Sequence, residues 1–281
     1  KALITLIAAS LVVIVSLGIR QTFGLFFFDF NSDLNISISH FGFVIGLQLL
    51  MWGVFSPIFG FITDRYGGAT AIFIGFLFYL AGLFLFYSGL NTGYLFTLTI
   101  GLLIGIGLGG TAISIPVSVV AKHFPSSNRT IATGIVTCAG SFGFFVSPLL
   151  VRYSLIEIGW EITILYFCFL LGIGLITALF ISTPKTPVGN NDNNNQTAKE
   201  ALIEAFNNKS FIFLTLGFFV CGWHIALVAT HIPTYMMDRG MPDWTAAMIL
   251  ALVGVFNMIG TIGSGYLATK FSKKKVLSAI S

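Results

Sequence analysis

An all-α integral membrane fold is predicted by three observations. First, 56% of the 281 residues are hydrophobic and only 9% are charged. The mean hydropathy is +0.94, and no water-soluble globule has the polar residues to cover such a surface. Second, the apolar residues fall into eight long runs, near 4–28, 41–63, 70–90, 94–121, 130–152, 160–182, 210–236 and 244–269. Each reaches the length of about 20 residues that a helix needs to cross hydrocarbon, whereas barrel strands are about ten residues long with alternating polarity. Third, the basic residues favour alternate loops. Lys1, Arg65, Lys122, Arg129, Lys185, Lys199, Lys209, Lys270, Lys273, Lys274 and Lys275 flank one set, and only Arg152 and Arg239 flank the other. By the positive-inside rule the amino terminus and the 183–209 loop are cytoplasmic, in a multi-pass protein of the plasma or inner membrane.

The first run exceeds a signal peptide's apolar core and no small-residue cleavage site follows it, so it reads as a span. Between the second and third runs stands GFITDRYGG, an acid and a base side by side. The third and sixth runs are nearly free of strong polar groups and are expected to face lipid. In the fourth, Gly101, Gly105 and Gly109 recur every four residues, a smooth ridge that permits close backbone approach. In the fifth, Gly134, Gly140 and Gly143 form another small-residue face, followed by Pro148. Cys138, Cys168 and Cys221 lie inside spans without metal-ligand spacing and are expected to be small buried residues.

The polar, Asn-rich stretch TPKTPVGNNDNNNQ separates six spans from two. This division predicts an amino-terminal six-helix bundle over 1–182 and a linker over 183–209. The first two helices of a second bundle then occupy 210–281. With no initiator Met, the sequence reads as a fragment. Thr197 and Glu200 stand at capping-box spacing, and Leu202, Ile203 and Phe206 can share one face, so the linker is expected to end in a short interfacial helix.

A shift of 205 residues lays Gly60, Asp64, Arg65 and Gly67 over Gly265, Thr269, Lys270 and Ser272. A glycine ending an even-numbered span, followed by a basic turn, thus recurs at equivalent places in both halves, the mark of an internal repeat.

At these residues the sequence resembles the major facilitator superfamily, whose signature between the second and third helices is Gly-x-x-x-Asp-Arg-x-Gly. Here Gly68 and Ala69 stand where that signature usually continues with cations. The stretches GIRQTFGLFF, GLLIGIGLGGTAISIPVSVVAKHFP and CGWHIALVATHIPTYM resemble the monocarboxylate-porter-like and oxalate/formate-antiporter-like branch. The eighth span lacks the Asp/Arg pair of animal monocarboxylate carriers. The resemblance implies a 6+6 helix bundle truncated after its eighth helix, working by alternating access as a monomer. It also implies that Gly60, Asp64, Arg65, Gly67, Gly265 and Lys270 form a cytoplasmic latch, made in the outward-open state and broken on switching.

Arg20 is the charge that needs a membrane-depth explanation, because placing Arg at a helix centre costs about 2.5–3.5 kcal/mol on the insertion scale. It is a candidate anion-binding cation facing a wet cavity, its guanidinium able to grip a carboxylate; the alternatives are snorkelling or pairing with Asp29 or Asp33. His224 and His231 lie seven residues apart, nearly on one stripe, and the repeat sets His224 beside the equivalent of Arg20. They are candidates for substrate binding or proton coupling. Gln21, Gln48, Thr111, Ser114, Thr137, Ser141 and Asn257 complete the candidate substrate set, with Trp52 an aromatic candidate beside them. The expected substrate is a small organic anion, a mono- or dicarboxylate, with protons as possible co-substrate; a neutral metabolite, a drug or a non-transporting sensor are the alternatives.

No Walker-type loop, zinc spacing, paired carboxylates or Ser/His/Asp constellation is legible in the sequence, so neither an enzyme nor a cofactor or metal protein is expected. The net charge of +4 follows membrane topology and implies the bilayer, not nucleic acid, as partner.

Overall fold

The computed structural model describes residues 2–181 and 198–270. Among them every regular element is helical. α1 (Ala2–Gln21) runs through a 3-10 turn (Phe23–Phe26) into α2 (Phe27–Leu34), forming one crossing over 2–34. α3 (Ile38–Tyr66) and α4 (Gly68–Tyr87) are the second and third. The fourth is segmented into α5 (Gly93–Phe96), a π-helical stretch (Thr97–Leu103), α6 (Ile104–Thr111) and α7 (Ser114–His123). α8 (Ser126–Ala178), α9 (Ala198–Asn207), α10 (Lys209–Asp238) and α11 (Asp243–Lys270) follow.

α8 has 53 residues, about 80 Å at about 1.5 Å per residue, against about 30 Å of hydrocarbon. Gly159 resolves the excess: at φ 78° and ψ 172° it breaks the helix, a backbone state open mainly to glycine. Residues 126–158 and 160–178 are therefore two crossings, and eight result among the described residues, as the apolar runs predict. Residues 182–197, most of the linker expected over 183–209 and including Thr197 of the capping box, lie outside the described residues; the short helix expected at the linker's end is α9, with Ile203 and Phe206 exposed.

The break in the fourth crossing has its own cause. Ala112 adopts extended backbone, ψ −177°, and Pro116 stands four residues later, where its ring would clash with the Ala112 carbonyl of a continuous helix. Irregular backbone at this depth is tolerated only inside protein, and Ala112 is fully buried. Thr111 braces the break, donating to the Gly107 carbonyl at 3.0 Å and sharing a 2.8 Å hydrogen bond with Ser16 of α1.

Small residues bring the first six crossings together. A Cβ at Gly105 would lie 2.6 Å from the Gln48 carbonyl oxygen of α3, and one at Gly107 would lie 2.7 Å from the Gly75 carbonyl oxygen of α4. The predicted ridge is thus a two-sided seam between the second and third crossings, where dispersion replaces the hydrophobic drive that lipid removes. α4 turns Tyr79, Phe76 and Leu83 inward and Leu77, Phe78 and Phe84 outward.

The two ends of the molecule differ in charge and in closure. Asp64, Lys122, Arg129 and Lys209 mark a basic end. At the opposite end an aromatic cluster closes the first six crossings: Phe30 lies 5.1 Å from Phe86 and 5.4 Å from Trp160, ring centre to ring centre. Trp160 also donates its indole N–H to Asp33 at 2.7 Å.

α10 and α11 meet the first six crossings near this aromatic end and at mid-depth. Gly24 abuts the carbonyls of Ala229 and Thr230 and the ring of Pro233, and Gly254 abuts the backbone of Phe144 and Phe145. Towards the basic end contact ceases: residues 208–224 of the α10 region are exposed, as are Phe256, Ile259 and Ile262 of α11. The two halves touch at the aromatic end and part at the basic end.

Candidate functional site

The parting of the halves leaves a cleft of ≈ 840 Å³ between α3 and α10, within the range of small-molecule sites. Its α3 wall includes Gly42, Gly46, Leu49, Trp52 and Gly53. Its α10 wall includes Phe219, Gly222, Trp223, Leu227, Thr230 and His231. The helices are antiparallel, so Gly42 and His231 meet at the aromatic end, where a Cβ on Gly42 would lie 3.6 Å from His231 Cε1. A Cβ at Gly46, Gly53 or Gly222 would meet nothing within 4 Å. Trp52 also packs against a cluster holding Val13 and Leu17 of α1 and Ala112 at the break. The cleft wall is thereby in contact with both the first and fourth crossings.

Of the ten candidate substrate residues, His231 alone lines this cleft. His224, two turns nearer the basic end of α10, is exposed and shares a 2.9 Å hydrogen bond with the Val220 carbonyl. The other eight do not line this cleft in this conformation, and their helices turn most of them towards other partners. Thr111 faces Ser16. Thr137 donates to the Thr133 carbonyl at 3.0 Å, and Ser114 is exposed on the first turn of α7. Ser141 donates to Asn257 at 3.1 Å, which ties α8 to α11 across the two halves. Gln48 donates to the Ile100 carbonyl at 2.9 Å, inside the π-helical stretch; such a widened turn shifts the backbone ladder, and the amide serves the displaced carbonyl. The Gln48 Oε1 stays buried without a partner.

Arg20 is 5% exposed and is not on the cleft wall. Among the described residues no carboxylate pairs with it. Its Nη1 reaches Gln21 Oε1 at 3.5 Å, while Arg20 Nε and Gln21 Nε2 are buried without partners. Neither snorkelling nor pairing with Asp29 or Asp33 accounts for it in this conformation. A buried cation costs several kcal/mol unless an anion offsets it, so the first crossing carries an unmet demand for negative charge. Four residues on, Gly24 abuts Ala229 and Thr230. The α1 end that carries Arg20 is thus a neighbour of the cleft's Thr230–His231 end.

The signature turn divides its labour. Gly67 takes φ 95° between α3 and α4, and Gly68, in the place of a trailing cation, allows Val119 of α7 to approach its Cα closely. Asp64 accepts from Lys122 Nζ at 2.9 Å, a partner at the end of the fourth crossing in the same half. Arg65 lies over the Tyr66 ring at 5.5 Å. Gly60 faces open space. The surroundings of Gly265 and the side chain of Lys270 lie outside what the structure describes. Cys168 is buried as expected, whereas Cys221 is exposed on α10.

The cleft residues that sequence reasoning missed are Phe219 and Trp223 with their small neighbours Gly46 and Gly222. A search for polar residues in apolar spans passes over them. The signal that was available is the pairing of glycine with aromatic residues on one helical face.

Residues 9–281 match the family described as the Major Facilitator Superfamily. An agnestins efflux protein, AgnL12, of Paecilomyces divaricatus is 26% identical over 99% of this chain and 63% of its own length. A hexuronate transporter of Bacillus subtilis is 23% identical over 87% of this chain and 59% of its own length. The chain thus spans about three fifths of the length of these relatives. Among solved structures, a crystal structure of a D-xylose-proton symporter matches with a TM-score of 0.65 at 16% identity, covering 96% of this chain and 69% of that one. The inward-open xylose transporter XylE of E. coli matches at 0.60 and 13%, covering 96% of this chain and 70% of that one.

Proposed function

Because the chain belongs to the Major Facilitator Superfamily, we propose that it forms most of a secondary transporter that carries a small organic anion by alternating access. The observation that carries the substrate class is Arg20: a guanidinium buried at membrane depth, with no carboxylate to offset it among the described residues. A substrate anion would offset this charge only while bound, which turns the burial cost into affinity for negative ligands. Hexuronate and probable nitrate transporters stand among the relatives; that anions are their cargo supports the reading for this chain by analogy alone.

On this reading the basic end is cytoplasmic by the positive-inside rule, and the halves part towards the cytoplasm. The Asp64 turn is then a latch in its released state, its acid held by Lys122 until the halves close. His231 is the candidate for hydrogen bonding to substrate or for proton coupling. The test is uptake of labelled small carboxylates by cells expressing wild type or Arg20→Ala at matched surface levels. The expected loss in the variant is at least tenfold, the scale of one charge-assisted interaction. Equal uptake by the two proteins removes Arg20 from the mechanism.

A further inference from the structure

We infer that the cleft between α3 and α10 binds an aromatic carboxylate, with its ring system against Trp52 and Trp223 and its carboxylate at the Thr230–His231 end. This deepens the organic-anion reading and rests on it. The chemistry of the walls is uneven along the cleft. Towards the basic end Trp52, Phe219 and Trp223 supply aromatic faces, with Phe219 and Trp223 6.3 Å apart, ring centre to ring centre. Towards the other end Thr230 and His231 supply a hydroxyl and an imidazole. Aromatic faces favour planar rings in offset or edge contact, and a small convergent polar set fixes the orientation of an otherwise apolar ligand.

Length narrows the class further. From Trp223 to His231 is eight residues, about 12 Å along a helix at about 1.5 Å per residue. Acetate or lactate would reach one end only; a carboxylate on a two-ring body spans both. Polyhydroxylated anions fit poorly, since each hydroxyl set against Leu49, Leu227, Gly46 or Gly222 would lose its water without gaining a partner. The sign of the head group follows from position: the Thr230 carbonyl abuts Gly24, four residues beyond Arg20, which no carboxylate among the described residues offsets. In a medium of low dielectric that cation attracts an anion placed at the neighbouring end of the cleft.

Trp52 and Trp223 make the site readable by fluorescence. The purified protein in nanodiscs is titrated with 4-biphenylacetate, with 4-biphenylmethanol (body without charge), acetate (head without body) and D-glucuronate (hydroxylated carboxylate). Saturable quenching by 4-biphenylacetate is expected, at least tenfold weaker for the alcohol and for His231→Leu, and absent for acetate and D-glucuronate. Gly46→Phe, whose new side chain enters open space, fills the cleft and should abolish the quenching with folding intact. D-glucuronate binding as tightly as 4-biphenylacetate, or unchanged 4-biphenylacetate affinity in Gly46→Phe, overturns the inference. The two readings fail separately. Exchange of D-glucuronate across vesicle membranes without 4-biphenylacetate binding overturns the aromatic class and leaves transport standing. Cleft binding of 4-biphenylacetate with no anion exchanged overturns transport and leaves the site.

Discussion

If the Asp64 turn acts as the proposed latch, its ion pair with Lys122 needs little energy to do so. The Asp64 and Lys122 side chains are 74% and 35% exposed, and an ion pair in that setting contributes about 0–1 kcal/mol. It adds little to the stability of the fold, but it is enough to bias two states close in energy. Lys122→Ala should release the Asp64 carboxylate and move the population by up to about fivefold towards the state closed at the basic end. Spin labels at Thr70 and Ser210, both exposed near that end, should then report more of the shorter distance; an unchanged distribution would show that the pair does not hold Asp64 back. The acid, the base and both glycines of this turn are legible in the sequence, as is the anomaly of Arg20. Lys122 as the partner is not, because the pairing depends on how the second and fourth crossings come together. The burial of Arg20 away from the cleft is equally a matter of helix rotation, which eight apolar runs with weak amphipathic pattern leave undetermined.

At the scale of elements, glycine spacing proves the most informative pattern. Gly105 and Gly107 face opposite neighbours at 2.6 and 2.7 Å from backbone oxygens, so the fourth crossing cannot shift without losing both seams. Gly105→Leu should destabilise the protein by about 1–3 kcal/mol, the usual cost of overpacking. A lowered melting temperature in detergent, against an unchanged one for Gly60→Leu in its open surroundings, would check this. Equal melting of the two variants would count against the seam. Other features of the same crossing escaped the sequence reading for physical reasons. The π-helical stretch at Thr97–Leu103 has no residue that demands it; it is matched by Gln48, a donor 52 positions away. The break at Ala112 does have a local cause in Pro116, yet Pro57, Pro148 and Pro233 sit inside helices that continue. Proline alone therefore does not locate a break, and the hydroxyl brace from Ser16 to Thr111 is a tertiary feature.

For the whole molecule, the count of crossings and the charge asymmetry between ends follow from composition and periodicity, whereas the relation between halves does not. Contact at Gly24 and Gly254 with separation towards Lys209 is one arrangement of rigid bundles, and the same sequence must also support the converse if it transports. The tie from Ser141 to Asn257 lies at mid-depth, where rocking displaces the helices least, which suits a pivot. Polarity at membrane depth is legible in the sequence, whereas the partners of Thr111, Gln48, Ser141 and Asn257 on neighbouring helices are not, because they depend on how the helices pack. Substrate counterflow in proteoliposomes tests the central claim most directly. Vesicles loaded with an unlabelled organic carboxylate should transiently accumulate the labelled form without any imposed gradient, and Arg20→Ala reconstituted at equal density should lose at least nine tenths of that exchange. Exchange undiminished in Arg20→Ala, or binding of carboxylates with no exchange at all, would contradict the account.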